Sequence, residues 1–390
     1  MKLLMYGAGS IGRGFIGPLF AHAGYDVVFV DVNLRIIDAL NSRRGYRYTL
    51  AANPAYDRIV NGVYGVDGLD EQKVCDEIVC CDIMATALGP AVLQKVSPLI
   101  AKGFSQRMTQ SGCPLNLIIC ENLKDSAGLL RRWLSDALPD DMKELLYSKC
   151  GLIEAAVGRM VPGAEISDDD PLHLTVEEYG FLPVNKDGFV GKPPKVQGLI
   201  LASPFAFYED RKLYLHNMGH AICAYLGMME GCQTIAEAIM RSNIRYAVQG
   251  AMIEAAAMIS AKYKVPFARI YDHAEDLLLR FQNTSLSDTC ARVGRDPIRK
   301  IKAGERLAGA LTQCGDFGVH NAYIALGYAA ALWQLTYDPV KAAEIAVQTG
   351  ELGPRQAEII TELYKVLGDQ PEKYVQTAER LKKQMRGNTV

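Results

Sequence analysis

A glycine-rich loop near the start of the chain constrains its fold more than any other feature. A short apolar run, Leu3 to Tyr6, predicts a strand that leads into Gly7-Ala8-Gly9-Ser10-Ile11-Gly12. A helix is predicted next, and then a second apolar strand, Asp26 to Val30, which ends at Asp31. The glycine pattern alone is a weak signal. Strand, loop, helix and strand in this order predict a dinucleotide-binding unit.

In such a unit, glycines let the backbone approach a pyrophosphate at the helix N-terminus, where free N–H groups favour negative charge. Asp31 stands where a carboxylate accepts hydrogen bonds from an adenosine ribose. Arg35 could instead pair with a 2′-phosphate, but Asp31 would repel that phosphate. The pattern therefore predicts NAD in preference to NADP. The alternative is a glycine-rich turn followed by an unrelated aspartate.

Further strands are predicted at Glu77 to Thr86 and Leu115 to Cys120, with helices between and after them. This alternation favours a doubly wound parallel sheet. Asn122 follows the second of these strands, at the sheet edge that lines the ligand crevice, so it could donate to substrate or nicotinamide or simply form a turn. From Met160 to Pro204, turn signals such as Asp168-Asp169-Asp170-Pro171 predict small antiparallel strands.

The chain has 390 residues, which suggests two domains. We predict an α/β fold: a Rossmann-type doubly wound sheet with a small β-rich appendage over residues 1–203, and a mostly helical domain over 204–390. Helices are predicted at Ala236 to Tyr263, Ala268 to Asn283, Pro297 to Thr312 and Asn321 to Leu335, with two more at the C-terminus.

Composition argues against several classes of function. The net charge of -2 gives no electrostatic case for binding nucleic acid or an anionic membrane. The start lacks the pattern of a signal peptide and no apolar run is long enough to span a bilayer, so we expect a cytoplasmic protein. The ten cysteines lack zinc-ligand spacing, so we expect reduced core residues and no metal.

The nine residues Lys212-Leu-Tyr-Leu-His-Asn-Met-Gly-His220 are the strongest candidate for catalytic chemistry. At about 100° per residue of an α-helix, Asn217 lies about 140° from Lys212 and His220 about 80°, so the three share one open sector. An alcohol that loses a hydride needs a base, a donor to the forming carbonyl and an orienting group. The alternative is a solvated lysine before an ordinary core helix.

A second chemical stretch runs from Arg292 to Arg306. Asp296 and Pro297 resemble an N-cap and a first helical residue. Basic residues gather at this helix start, where they oppose the helix dipole unless an anion lies between them. The sequence therefore predicts phosphate binding by Arg295, Arg299 or Lys300, against the alternative of a solvated basic face.

These motifs together resemble the polyol-specific long-chain dehydrogenases, and among them the mannitol-1-phosphate 5-dehydrogenases. The resemblance runs through most of the chain in the same order. Three stretches carry it: Gly7 to Gly17, Lys212-x4-Asn217-x2-His220, and Gly294-Arg295-x-Pro297-x-Arg299-Lys300 with Ala303-Gly304-x-Arg306-Leu307.

The resemblance implies a metal-independent, NAD-linked interconversion of mannitol 1-phosphate and fructose 6-phosphate. Lys212 would be the general base, and His220 would hold the substrate. Asn217 and Asn122 would form the oxyanion site, and Glu209 would pass the proton to solvent. Many relatives have Val-Asp-Arg where this chain has Val157-Gly158-Arg159, so the polyol specificity could differ.

Other functions remain open. A free-mannitol, hexuronate or 6-phosphogluconate-type dehydrogenase would share the NAD-binding and helical domains, and a non-catalytic NAD-binding module would share the first. A small sugar or polyol phosphate is the expected partner, and the sequence leaves monomer and homodimer open.

Overall fold

The computed structural model describes residues 1–51, 53–161 and 170–387. The chain divides into two compact units, Met1–Tyr208 and Glu209–Val390. The first unit contains all of the named strands: β1 Lys2–Tyr6, β2 Asp26–Asp31, β3 Gly45–Leu50, β4 Asn53–Asn61, β5 Val63–Asp67, β6 Ile83–Thr86, β7 Leu115–Ile119, β8 Cys150–Glu154, β9 Leu174–Val176, β10 Leu182–Asn185 and β11 Leu199–Ala202.

Six of these strands form one parallel sheet in the order β5-β2-β1-β6-β7-β8. Alternate residues of β1 belong to the cores on opposite faces, Leu3 and Met5 to one and Leu4 and Tyr6 to the other. Burial of both faces explains why the strands are almost continuously apolar. The predicted doubly wound parallel sheet is confirmed.

Helices connect the strands of this sheet. The first begins as a π-helical turn, Gly12–Ile16, and continues as an α-helix. The α-helices of this part of the chain are α1 Gly17–Ala21, α2 Leu34–Arg43, α3 Glu71–Cys80, α4 Pro90–Gln110, α5 Ser126–Ala137, α6 Asp140–Lys149 and α7 Ala206–Asp210, which crosses the unit boundary.

Two strand predictions were wrong in part. Glu77 to Cys80 belong to α3, because Asp70 caps that helix and buried Val74 and Ile78 lie one turn apart on its inner face, so the strand begins only at Ile83. The strands after Met160 pair in parallel, β9 with β3 and β10 with β11, and are not the antiparallel strands that we expected. In the predicted turn, Asp168 and Asp169 lie outside the described residues.

The second unit is helical, as predicted. A π-helical turn, Arg211–Asn217, leads into α8, and every residue of α15 from its start to Leu332 is buried. The helices are α8 Met218–Met229, α9 Ile235–Met240, α10 Ser242–Tyr263, α11 Phe267–Phe281, α12 Cys290–Gly294, α13 Pro297–Ile301, α14 Ala308–Asp316, α15 Ala322–Trp333, α16 Pro339–Gly350, α17 Pro354–Asp369 and α18 Tyr374–Gly387.

Three helix predictions need correction. The long helix from Ala236 is two helices, because Arg241 is extended between α9 and α10. The helix predicted from Pro297 to Thr312 is broken after one turn, and Gly304 has a φ of +74° in the break. Within the described residues, three α-helices, not two, follow α15. None of the described helices is long and apolar enough to cross a bilayer.

Candidate active site

The glycine loop of the first unit leaves room for a pyrophosphate. Gly7 has a φ of +110°, and a Cβ there would lie 2.5 Å from the carbonyl oxygen of Ala87. A Cβ on Gly12 would lie 2.0 Å from the carbonyl oxygen of Gly7, whereas one on Gly9 would have no atom within 4 Å. Gly7 and Gly12 are thus required by close packing, and Gly9 faces open space. This geometry fits a dinucleotide phosphate close to the backbone.

Asp31 ends β2 and is joined to the same loop. Its Oδ2 accepts a hydrogen bond from the backbone N–H of Ala8 at 2.8 Å, and its Oδ1 accepts from that of Asn33 at 3.0 Å. A carboxylate oxygen has further lone pairs, so both oxygens can also accept from ribose hydroxyls. Arg35 lies on the following helix, with its side chain exposed.

Two buried arginines that we did not predict as functional stabilise the helix that follows the loop. In the π-helical turn, the N–H of Gly17 bonds to the carbonyl of Gly12, five residues earlier. Arg13 donates to the carbonyl of Ala8 at 2.6 Å, and Arg159 donates to that of Gly14 at 3.0 Å. The only sequence signal for Arg13 was its place inside the Gly7–Gly17 motif.

Asn122 lies just beyond the carboxyl end of β7, where its side chain is exposed. The neighbouring Glu121 is buried and has a structural contact, since its carboxylate accepts from the N–H groups of Leu88 and Gly89 at 2.9 and 2.7 Å. These N–H groups precede α4, so Glu121 stabilises the start of that helix. The role that we predicted for Asn122 remains a prediction.

In the second unit, one continuous helical stretch carries Glu209, Lys212, Asn217 and His220, all of them partly buried. The angles that we derived for an α-helix do not apply here, because Lys212 and Asn217 lie in the π-helical turn. In a π turn the hydrogen bonds join residues five apart, which therefore lie nearly above one another. The two side chains are thus closer in direction than the predicted 140°.

A carboxylate and an aromatic ring hold His220. Its ring stacks on Phe281 of α11, with centroids 4.9 Å apart and an interplanar angle of 18°. Its Nε2 lies 3.1 Å from Oδ2 of Asp288, which was not predicted as a site residue. The preceding histidine of the motif, His216, is fully buried. Burial, followed by the charge of Arg280, lowers the pKa of His216 well below its usual value, so this ring is neutral.

The predicted phosphate-binding residues differ in their surroundings. Lys300 is only 4% exposed, and its Nζ donates to the carbonyl of Val293 and lies over the ring of Tyr225. Arg299 is half-exposed and pairs with Asp296 at 2.8 Å, which also caps α13 as predicted. Arg295 is exposed. Because α13 has only five residues, its dipole explains little of this arrangement, and the burial of Lys300 is the stronger observation.

Two further groups complete this cationic cluster, which we define as Arg295, Arg299, Lys300, Arg306 and Tyr225. Arg306 is 8% exposed, and its Nε lies 3.6 Å from the carboxylate of Glu305, beyond hydrogen-bond distance. The hydroxyl of Tyr225 is buried. Within the part of the chain that the structure describes, neither this hydroxyl nor Nε of Arg306 has a hydrogen-bond partner. Sequence reasoning missed both residues, although Arg306 lies in the motif quoted above.

Burial, and then the charges of Arg306 and Arg299, lowers the pKa of the Lys300 amine to about 8. Burial also lowers the pKa of Arg306 from its ordinary value. Buried cations are usually paired, because the loss of hydration is costly. A cluster of cations with unpaired donors therefore fits a bound anion.

The departure at Gly158 has a structural counterpart. A Cβ on Gly158 would lie 3.2 Å from the ring of Tyr179, so an aromatic side chain covers the position where many relatives have a carboxylate.

No group of three or more histidine, cysteine or acidic side chains among the described residues is arranged to hold a metal ion. Metal independence stays a prediction.

Family comparisons agree with the two-unit architecture. A family model described as the mannitol dehydrogenase Rossmann domain matches residues 1–198, and one described as the mannitol dehydrogenase C-terminal domain matches residues 205–385. A D-sorbitol dehydrogenase structure in substrate-free form has a TM-score of 0.79 at 15% identity, covering 96% of this chain and 94% of the other.

A Pseudomonas fluorescens mannitol 2-dehydrogenase, solved as a ternary complex with NAD and D-mannitol, also has a TM-score of 0.79. It shares 16% identity, over 98% of this chain and 94% of the other. At such low identity these two structures show a shared fold.

Proposed function

The chain belongs to the mannitol dehydrogenase family, and we propose that it is a member that acts on a phosphorylated substrate. The reaction is the NAD-dependent interconversion of mannitol 1-phosphate and fructose 6-phosphate. NAD, when bound by the glycine loop and Asp31, supplies the hydride acceptor for polyol oxidation.

The cationic cluster carries this proposal. Its four cations, Arg295, Arg299, Lys300 and Arg306, have two carboxylates beside them, Asp296 and Glu305, which leaves an excess of two positive charges. A sugar phosphate is a dianion near neutral pH and has three strong acceptor oxygens. It would neutralise the excess charge and accept from the unpaired groups of Tyr225 and Arg306. A free polyol could do only the second of these.

The helical stretch of the second unit supplies the groups for the proton and the oxygen. Lys212, which is partly buried, takes the proton of the hydroxyl that is oxidised. Asn217 donates to the oxygen as it becomes a carbonyl, and His220 holds the substrate. Glu209, three residues before Lys212 in the same helical stretch, passes the proton on to solvent.

The phosphate proposal is tested by comparing NADH oxidation with fructose 6-phosphate and with fructose. We expect strong preference for the phosphate and its loss in Lys300→Met. Lys302→Met is the matched control, because Lys302 is an exposed lysine two residues away. Equal efficiency with both ketoses would show that the substrate is a free polyol or a sugar acid. A Lys300→Met variant with unchanged preference for the phosphate would show that Lys300 does not bind it.

The role of Lys212 is tested separately. Lys212→Ala should lower turnover by about 10² to 10⁴-fold, the usual contribution of general-base catalysis, while NADH binding stays unchanged. Chelators should not affect the unmodified protein. Full activity of Lys212→Ala, or activity lost to a chelator and restored by zinc, would contradict the mechanism.

A further inference from the structure

Asp288 lies outside the motifs that predicted the site, yet it is the carboxylate that contacts His220. It is 8% exposed and immediately precedes Thr289, whose side chain caps α12. Its Oδ2 is 3.1 Å from Nε2 of His220, and its Oδ1 accepts from Nε and Nη2 of Arg292 at 2.9 and 2.6 Å. One carboxylate thus joins an arginine to the histidine of the proposed substrate site.

The backbone around Asp288 is fixed. Its carbonyl accepts from the N–H of Ile235 at 2.8 Å, and the next residue but one, Cys290, donates to the carbonyl of Gln233 at 2.9 Å. Arg292, one helical turn later, holds the other carboxylate oxygen. The carboxylate is therefore placed before any substrate arrives.

In the free protein, the contact between His220 and Asp288 does not have the geometry of a well-aligned hydrogen bond. The distance is that of a hydrogen bond, but the ring N–H does not point directly at the oxygen. Among the described residues, neither Nε2 of His220 nor Oδ2 of Asp288 has a well-aligned hydrogen-bond partner. Hydrogen bonds of catalytic groups are often poorly aligned without substrate and tighten when it binds.

Burial works to raise the pKa of Asp288, but the contact with His220 and the charge of Arg292 outweigh it and hold this pKa below its ordinary value. Asp288 is therefore ionised at neutral pH, and an ionised carboxylate can only accept hydrogen bonds. The nitrogen facing it must then carry the proton. In a neutral imidazole this leaves Nδ1 as the acceptor.

We propose that Asp288 is a positioning residue for His220: anchored by Arg292, it keeps the proton on Nε2 and sets the ring so that Nδ1 can accept a hydrogen bond from a substrate hydroxyl. This extends the proposed function, because it rests on His220 holding the substrate. Phe281 fixes the plane of the ring by stacking on it, and Asp288 fixes which edge of the ring faces inward.

The first test does not require activity. The ¹⁵N chemical shifts of histidine distinguish protonated from unprotonated ring nitrogens, and the chain has only six histidines, so the His220 signals can be assigned by their loss in His220→Ala. In the unmodified protein at pH 8 we expect Nε2 to carry the proton. In Asp288→Asn the signal should shift toward a mixture of tautomers. A proton on Nδ1 in the unmodified protein would overturn the proposal.

The second test is kinetic. Asp288→Asn should lower kcat/KM for the polyol phosphate roughly 10- to 100-fold, the scale of one hydrogen bond to a charged group, with NADH affinity unchanged. Asp276→Asn is the matched control, because Asp276 also pairs with an arginine four residues later, but its own side chain is about half exposed. Asp288→Glu should recover part of the loss.

A double variant separates positioning from folding. If Asp288 acts through His220, then His220→Ala with Asp288→Asn should be no worse than His220→Ala alone. Additive losses would mean that Asp288 acts by another route and would overturn the proposal. If no polyol phosphate is turned over at all, the proposed function fails, whereas the tautomer measurement still decides the role of Asp288.

Discussion

Both units of the chain bury cations that carry hydrogen-bond donors, and a pair taken from the first unit differs in its partners from the pair in the second. In the first unit, Arg13 donates to the carbonyls of Ala8 and Leu172 at 2.6 Å each, and Arg159 donates to those of Gly14 and Glu177 at 3.0 and 2.8 Å. In the second unit, Lys300 and Arg306 are equally buried, yet Nε of Arg306 and the nearby Tyr225 hydroxyl have no partner within the described residues.

This difference separates structural cations from candidate ligand-binding ones. Arg13 and Arg159 replace hydration with hydrogen bonds to backbone carbonyls, so they need no further group. Lys300 and Arg306 retain a desolvation cost that protein atoms only partly offset. Burial of a charge therefore indicates a ligand only when its donors are unsatisfied.

The largest expected effect is the loss of stability on removing a structural cation. Arg13→Met should lower the free energy of unfolding by roughly 3 kcal/mol or more, because it removes the donor from two buried carbonyls and from a third that is partly buried. Urea unfolding of the full chain, followed by circular dichroism, measures this change. Arg132→Met is the control, since Arg132 is an exposed arginine of the same unit. Equal stability of the two variants would show that Arg13 is not a structural cation.

The opposite result is expected for Arg306→Met. Its unfolding free energy should change far less than that of Arg13→Met, since Nε has no hydrogen bond to lose and its ion pair with Glu305 is long, at 3.6 Å. The Michaelis constant for fructose 6-phosphate should rise about 10 to 150-fold, the scale of one charge-assisted hydrogen bond to phosphate. Activity on fructose should barely change. A variant that unfolds readily but keeps its Michaelis constant would make Arg306 a structural cation.

The features that could be predicted from the sequence are those that depend on neighbouring residues. The positions of the glycine loop and of Asp31 were predictable because strand, loop and helix are contiguous in sequence, and the close approach of Gly12 to Gly7 follows from that local path. The helical nature of the second unit followed from apolar periodicity. Both depend on short-range patterns.

Partners that come from distant parts of the chain could not be predicted. Asp288 meets His220 across 68 positions of sequence, and Tyr225 meets Lys300 across 75, so no spacing rule connects them. The π-helical turn at Lys212 could not be predicted either, because the same residue types occur whether the hydrogen bonds join residues four or five apart. Periodicity likewise failed to place the break at Gly304, where a turn depends on one left-handed residue.

The pH dependence of phosphate binding sharpens the comparison further. The Lys300 amine has a pKa of about 8 in the free protein, below the ordinary value of about 10.4. Phosphate affinity should therefore fall by up to about tenfold for each pH unit above 8, as the amine loses its charge. The free energy of unfolding should instead increase with pH over the same range. Between the two pKa values the unfolded chain binds more protons than the folded one, so a rise in pH disfavours unfolding.

Calorimetric titration with fructose 6-phosphate between pH 7 and 10 measures this dependence. A plot of the logarithm of affinity against pH should bend near pH 8. Lys300→Arg should abolish the bend near pH 8, since a guanidinium stays charged over the whole range. A bend that persists in Lys300→Arg would assign the titration to another group in the cationic cluster.

The smallest effect is expected at Asp31, because both oxygens of its carboxylate already accept hydrogen bonds from the backbone. Asp31→Asn keeps an oxygen that can accept from the N–H of Ala8 or Asn33 but removes the negative charge. Two unit charges about 4 Å apart in water interact by about 1 kcal/mol, so the preference for NAD over NADP should narrow about fivefold. The measurement is the ratio of kcat/KM for the two cofactors, with Asp38→Asn, an exposed residue of α2, as control. If the unmodified protein uses both cofactors equally well, or if Asp31→Asn leaves a strong preference intact, then the charge of Asp31 does not select the cofactor, and the selection must come from other contacts to the adenosine ribose.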